Sequence, residues 1–121
     1  MKKHHDGGKK LWVTELGLPA SKGKTSDNSD LQTTDKGMAS FLTTSYKDLM
    51  KNRTKLKVDH VFFYTWASVY KGFIFKWTGL YVYHHGNGQD VFQEKPAYKA
   101  YLKVARSGEG CSKNSAGSCA R

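Results

Sequence analysis

The six residues Leu11-Trp12-Val13-Thr14-Glu15-Leu16 form a nearly continuous apolar run, closed by Gly17 and Pro19. A run so short, so apolar and bounded by breakers reads as a strand buried on both faces, the pattern of a parallel sheet. Glu15 does not belong to that pattern. A carboxylate at the end of a buried run is costly unless it has partners or a function.

A second run, Val58 to Trp66, is dense in β-branched and aromatic residues and predicts a second buried strand. Between the two, residues 21–34 are Lys, Gly, Ser, Thr, Asn, Asp and Gln with one leucine, which reads as a long surface loop of functional length. A helix should begin at Thr34 or Asp35, either of which can cap it, and run to about Asn52. Met38, Phe41, Leu42, Leu49 and Met50 recur at helical spacing and define its buried face. Strand, loop, helix and strand make a βαβ unit, so the expected fold class is α/β with a parallel, right-handed crossover.

Ala67 to Gln93 is a long aromatic-rich connection, with a hairpin expected across Phe73 to Tyr83 and a turn at Gly86-Asn87-Gly88. A last helix starts at Pro96, with Ala97, Tyr98, Tyr101, Leu102 and Ala105 as its apolar face. After Arg106 the chain turns rich in Gly, Ser and Lys, which divides it into a folded part, 1–106, and a tail or linker, 107–121. Two parallel strands and two helices cannot cover one another, because each buried parallel strand needs neighbours on both edges and helices on its faces. The chain therefore reads as a fragment of a larger fold, and Met1 to Gly8 has the character of a helix end entering a turn.

The net charge of +10, from 20 basic and 10 acidic side chains, raises nucleic acid as a partner. The basic residues are scattered, however, with only short pairs such as Lys2-Lys3 and Lys9-Lys10, which suits a solvated surface and argues against nucleic acid. No apolar run approaches the ~18 residues of a membrane span, and the charged start is not a signal peptide. Cys111 and Cys119 leave two readings open: a local disulfide in an oxidising compartment, or two free thiols in a tail.

Two apparent motifs fail on spacing. Gly17 to Thr25 resembles a phosphate-binding loop, but five residues separate Gly17 from Gly23 where four are needed, and turn formers follow where a helix must start. The pairs His4-His5 and His84-His85 have no third ligand at metal spacing, and His60 reads as a packed or hydrogen-bonded strand residue. No metal or other cofactor is implied.

Glu15 remains, next to last in its strand and just before a long loop, where α/β barrels carry their chemistry. Trp66 occupies the matching end of the next strand. An aromatic face beside a carboxylate suits a sugar, which offers apolar C–H faces to stack and an anomeric carbon to attack. The segment Leu11-Trp-Val-Thr-Glu15-Leu-Gly17 resembles strand seven of the clan A glycoside hydrolases, the (β/α)8 retaining enzymes that include family 5 cellulases and family 39 xylosidases. Val61-Phe-Phe-Tyr64-Thr-Trp66 resembles strand eight with its sugar-platform tryptophan, and Thr78-Gly-Leu80 and Lys95-Pro-Ala-Tyr98 resemble the following loop and helix start.

The resemblance implies the C-terminal portion of a TIM barrel, about two strand–helix units, from a secreted or extracellular enzyme that cleaves β-glycosidic bonds in poly- or oligosaccharides with retention. It implies Glu15 as nucleophile, Tyr64, Trp66 and Trp77 as substrate-binding residues, no cofactor, and the N-terminal barrel strands as missing partner. Retention needs a second carboxyl roughly 5 to 5.5 Å away, which in the clan is a Glu after an Asn. No Asn-Glu pair occurs here, and none of the other acidic residues is placed for the part, so the chain alone is expected to be inactive. The alternative is a non-catalytic carbohydrate-binding module that stacks sugars on Trp12, Trp66, Trp77 and the tyrosines.

Overall fold

In the computed structural model, which describes residues 6–26 and 30–110, the first apolar run is strand β1 (Leu11–Leu16). It pairs in parallel with β2 (Val58–Phe63), with Trp12 opposite His60, Val13 opposite Val61 and Leu16 opposite Phe63. The two form a separate two-stranded sheet. Helix α1 (Asp35–Lys51) connects them, followed by one short turn of helix, α2 (Arg53–Leu56), which closes on Lys57 in the left-handed region. Thr34, not Asp35, caps α1, its hydroxyl accepting from the Gly37 amide at 3.1 Å. Asp35 stands in the first turn, where the helix dipole favours a negative charge.

The buried face of α1 is Met38, Leu42 and Tyr46, spaced by four. This corrects the expected stripe: Phe41 and Leu49 are half-buried and Met50 is exposed, because Tyr46 turns inward and rotates the face toward its own side. Helix α3 (Pro96–Gly108) packs against α1 with Ala97 and Val104 buried, and Tyr101 meets Tyr46 edge to face at 5.7 Å. Both helices lie on one face of the β1–β2 sheet, against Leu16, Val61 and Phe63. α3 runs two residues past Arg106, where the tail was expected; residues 111–121, with Cys111 and Cys119, lie outside the described residues, as do 1–5 and 27–29.

The other face of β1 and β2 is open. Trp12 is 52% exposed, and Leu11 and Phe62 are exposed as well, so the expectation of strands buried on both faces is not met. The reason is physical: helices cover one face, and among the described residues no further strand pairs with either edge. β2 also ends at Phe63 rather than Trp66. Tyr64 still donates its amide to Leu16 at 2.9 Å, then the chain passes through a cis Tyr64–Thr65 peptide into a second sheet.

That sheet holds β3 (Ala67–Ser68), β4 (Tyr81–Gly86) and β5 (Gln89–Glu94), with β3 parallel to β4 and β4 antiparallel to β5. The hairpin turn falls where expected, with Asn87 and Gly88 both at positive φ, as a two-residue turn of matching twist requires. Its strands do not fall across Phe73 to Tyr83. Ile74–Trp77 is a 3-10 helix instead, because Ile74 and Trp77, three apart, both turn inward and so share one face of a three-residue turn. Overall the chain is α/β, with three helices and five strands in two small sheets among the described residues. No described helix is long and apolar enough to cross a membrane.

Candidate active site

Glu15 emerges at the end of β1 and opens into a cleft of about 710 Å³. Gly17, two residues on, lets the ends of β1 and β2 close together: a Cβ there would collide with the Tyr64 carbonyl. Tyr64 and Thr65 line the cleft with Glu15, and Val69, Phe73 and Phe75, from the loop after β3, supply its apolar wall. Among the described residues Glu15 is the one carboxylate that lines it. Several other acidic side chains are engaged elsewhere: Asp6 with Lys9, Asp59 with Lys10, and Asp90 with His85.

Trp66 is 60% exposed, between the two lining residues Thr65 and Ala67, and leans on Tyr81 at 4.6 Å between ring centroids. Trp77 is placed differently. It is 8% exposed and stacked on Tyr70 at 4.3 Å and 17°. Its expected role as a sugar platform is therefore corrected: the ring anchors the cleft loop from below, because the 3-10 turn points it into the core. Glu15 and Tyr64 come together at the cleft, Trp66 stands beside them, and Trp77 does not join them.

Beneath the loop lies a charged cluster that sequence reasoning did not anticipate. Lys95 has a side chain only 3% exposed, with its ammonium 3.1 Å from Asp35 and donating to the Trp77 carbonyl at 3.1 Å. Lys24 reaches the other Asp35 oxygen at 3.0 Å, and the Tyr70 hydroxyl donates to the first at 3.4 Å. Both ammonium groups also lie over the Tyr70 ring, at 5.0 and 5.3 Å from its centroid. Burial opposes ionisation of Asp35, but hydrogen bonds from Lys24 and Lys95 and their charges outweigh it and hold the carboxyl below its ordinary value. Burial lowers Lys95 despite the opposing pull of Asp35, and burial with the Asp35 charge pushes the Tyr70 phenol up to about 12. The available signal was Lys95, a long charged chain at a helix entrance followed by Pro96, Ala97 and Tyr98. Lys24, part of the phosphate-loop look-alike, is thus spent on a carboxylate.

The open face of the first sheet carries a second aromatic group. Trp12 meets the His60 ring at 4.4 Å, and Phe62 lies parallel to His60 at 6.1 Å. Asp59 receives Lys10 at 2.9 Å and the Trp12 indole N–H at 3.2 Å, with His60 Nδ1 also at 3.2 Å. The Lys10 hydrogen bond, followed by that of Trp12, holds the Asp59 carboxyl below its ordinary value. His60 is packed and paired, as its place in the strand implied. No group of three or more His, Cys, Asp or Glu converges among the described residues, and His84 and His85 are exposed, His85 facing Asp90 at 2.7 Å.

Comparison with protein-family models, curated proteins and solved structures yielded no match to this chain.

Proposed function

We propose that the chain is the nucleophile-bearing C-terminal portion of a retaining β-glycoside hydrolase of the (β/α)8 kind. The observation that carries this reading is Glu15, a lone carboxylate at the C-terminal end of a parallel strand, opening into an aromatic-walled cleft beside Tyr64 and Trp66. The open edges and uncovered face of the β1–β2 sheet support further parallel strands as its partner. In the first half of the reaction a Glu15 oxygen bonds to the anomeric carbon as the glycosidic C–O bond breaks, and the departing oxygen takes a proton from a second carboxylic acid on those strands. Water, deprotonated by the same group, then releases the sugar from Glu15.

A fluoroglycosyl fluoride tests this in the chain as it stands, since fluoride leaves without acid assistance. The expected result is a single glycosyl adduct on the peptide containing Glu15, detected by mass spectrometry and absent in Glu15→Gln. No adduct, or one that survives the substitution, refutes the assignment. The exposed Trp12, with His60 and Phe62 on the open sheet face, favours a second reading, a non-catalytic sugar-binding surface. It predicts glycan affinity that is lost in Trp12→Ala and indifferent to Glu15→Gln.

A further inference from the structure

We infer that the wall formed by Val69, Phe73 and Phe75 is a leaving-group subsite for an apolar aglycone, so that the substrate class is a β-glycoside of an aryl or alkyl alcohol. The inference rests on the reading of Glu15 as nucleophile and adds to it the other end of the scissile bond.

Phe73 is 62% exposed and Phe75 40% exposed, yet they belong to a loop that is tied down on its inner side. Ile74 and Trp77 are buried, Trp77 is stacked on Tyr70, and Val69 and Lys76 donate their amides to Lys76 and Phe73 at 3.2 and 2.9 Å. The alternation is systematic: Ile74 and Trp77 anchor, while Phe73 and Phe75 stand out into the cleft, edge to face at 5.1 Å and 73°. Exposed apolar rings grouped on a fixed loop, in a concave site that also holds a carboxylate, mark a ligand surface. The cleft volume of about 710 Å³ lies within the ~300–1,000 Å³ typical of small-molecule sites.

The wall offers little to a second sugar. Thr78, the hydroxyl at its base, is buried and spends its proton on the Phe75 carbonyl at 2.6 Å, leaving Lys76 at this wall as the side chain able to donate. The hydroxyls of another pyranose would lose water against Phe73 and Phe75 without gaining partners, which costs affinity, whereas an aryl or alkyl group loses nothing. Tyr64, Thr65 and Glu15, which line the same cleft, are the polar groups suited to the glycone.

The test is titration of the purified chain by ligand-observed NMR with the phenyl and methyl β-glycosides of one sugar, glucose or xylose, and with phenol. The expected result is about tenfold tighter binding of the phenyl glycoside than of the methyl glycoside. That advantage should vanish in Phe73→Ala and Phe75→Ala, both exposed positions that the fold does not depend on, with methyl glycoside affinity unchanged. Equal affinities for the two glycosides would overturn the subsite and leave the nucleophile assignment standing. Phenol binding as tightly as the phenyl glycoside, with no binding of the methyl glycoside, would keep an apolar site at this wall and overturn the glycosidase reading. No binding of any of the three would overturn both.

Discussion

Lys95→Met tests whether the buried charged cluster holds the cleft loop. Methionine keeps an unbranched apolar chain at this position and removes the ammonium, which also donates to the Met38 sulfur at 3.9 Å. Three acceptors lose a donor, the weak Met38 sulfur among them, and neither oxygen partner is orphaned: the Trp77 carbonyl keeps the Ala20 amide at 3.2 Å, and Asp35 keeps Lys24 at 3.0 Å. Breaking a buried pair so as to leave a bare charge costs about 3–5 kcal/mol. With Asp35 still paired and the desolvated ammonium gone, the loss here should fall below that range, at about 2 kcal/mol. Asp35→Asn is the harsher change, because it leaves both Lys24 and the almost fully buried Lys95 without a counter-ion, and should cost about 3 kcal/mol or more. Amide hydrogen exchange reads this locally without requiring a single cooperative transition. The Lys95 amide, bonded to Leu80, and the Tyr98 amide, bonded to Lys95, should exchange about thirtyfold faster in Lys95→Met, at about 1.4 kcal/mol per tenfold. The pH dependence has a definite sign. Asp35 binds its proton less tightly folded than unfolded, so its contribution is present above the ordinary carboxylate range and lost as pH falls through the lowered folded value. Lys95 is also lowered, so burying its charge offsets part of what its hydrogen bonds contribute, and that offset fades as pH rises from its folded value toward the ordinary lysine value. Less than threefold faster exchange in Lys95→Met, or a milder effect of Asp35→Asn, would refute the account.

Four further outcomes follow from the structure. Gly79→Ala should destabilise the second sheet by about 3 kcal/mol, since its Cβ would collide with the Ala67 and Ser68 backbone, and hydrogen exchange at the Leu80 and Tyr81 amides should report it. Trp77→Ala should cost about 3–5 kcal/mol, read as proteolytic release of the Val69–Thr78 loop. Trp66→Ala should stay within about 0.5 kcal/mol and lower only sugar affinity. Tyr70 should ionise near 12 in a spectrophotometric alkaline titration. Because the unfolded chain gives up that proton first, stability should fall as pH passes the ordinary tyrosine value, and Tyr70→Phe should remove one tyrosine from the late titration, which Tyr81 shares, and lessen this slope.

The strands and helices that position Glu15 were legible because their signals are local: an apolar run ended by Gly and Pro, a Thr cap, a proline at the first helical turn. Coverage was not local. An apolar run says that a strand needs covering, and Leu11, Trp12 and Phe62 carry that need on a face where no described element meets it. The same limit explains the cluster at Lys95. Lys24, Asp35 and Lys95 each look like ordinary surface or helix-end charges in their own segments. Their pairing, and the burial of Lys95, arise only when a loop, a helix start and a second helix start converge on the underside of Trp77.

The aromatic loop shows where residue type misleads and spacing instructs. Trp77 was assigned to the sugar because tryptophan stacks well, while Phe73 and Phe75 were assigned to a strand. A 3-10 turn at Ile74–Trp77 reverses both readings, since a three-residue period sends Ile74 and Trp77 to the same side. The large indole is thereby spent on anchoring the loop over Tyr70 and the Asp35 cluster, and the phenylalanines become the surface it holds in place. What the cleft can bind therefore depends on charges that never touch it: loosening Lys95 or Asp35 should blur the phenyl-over-methyl preference even with Glu15, Phe73 and Phe75 intact.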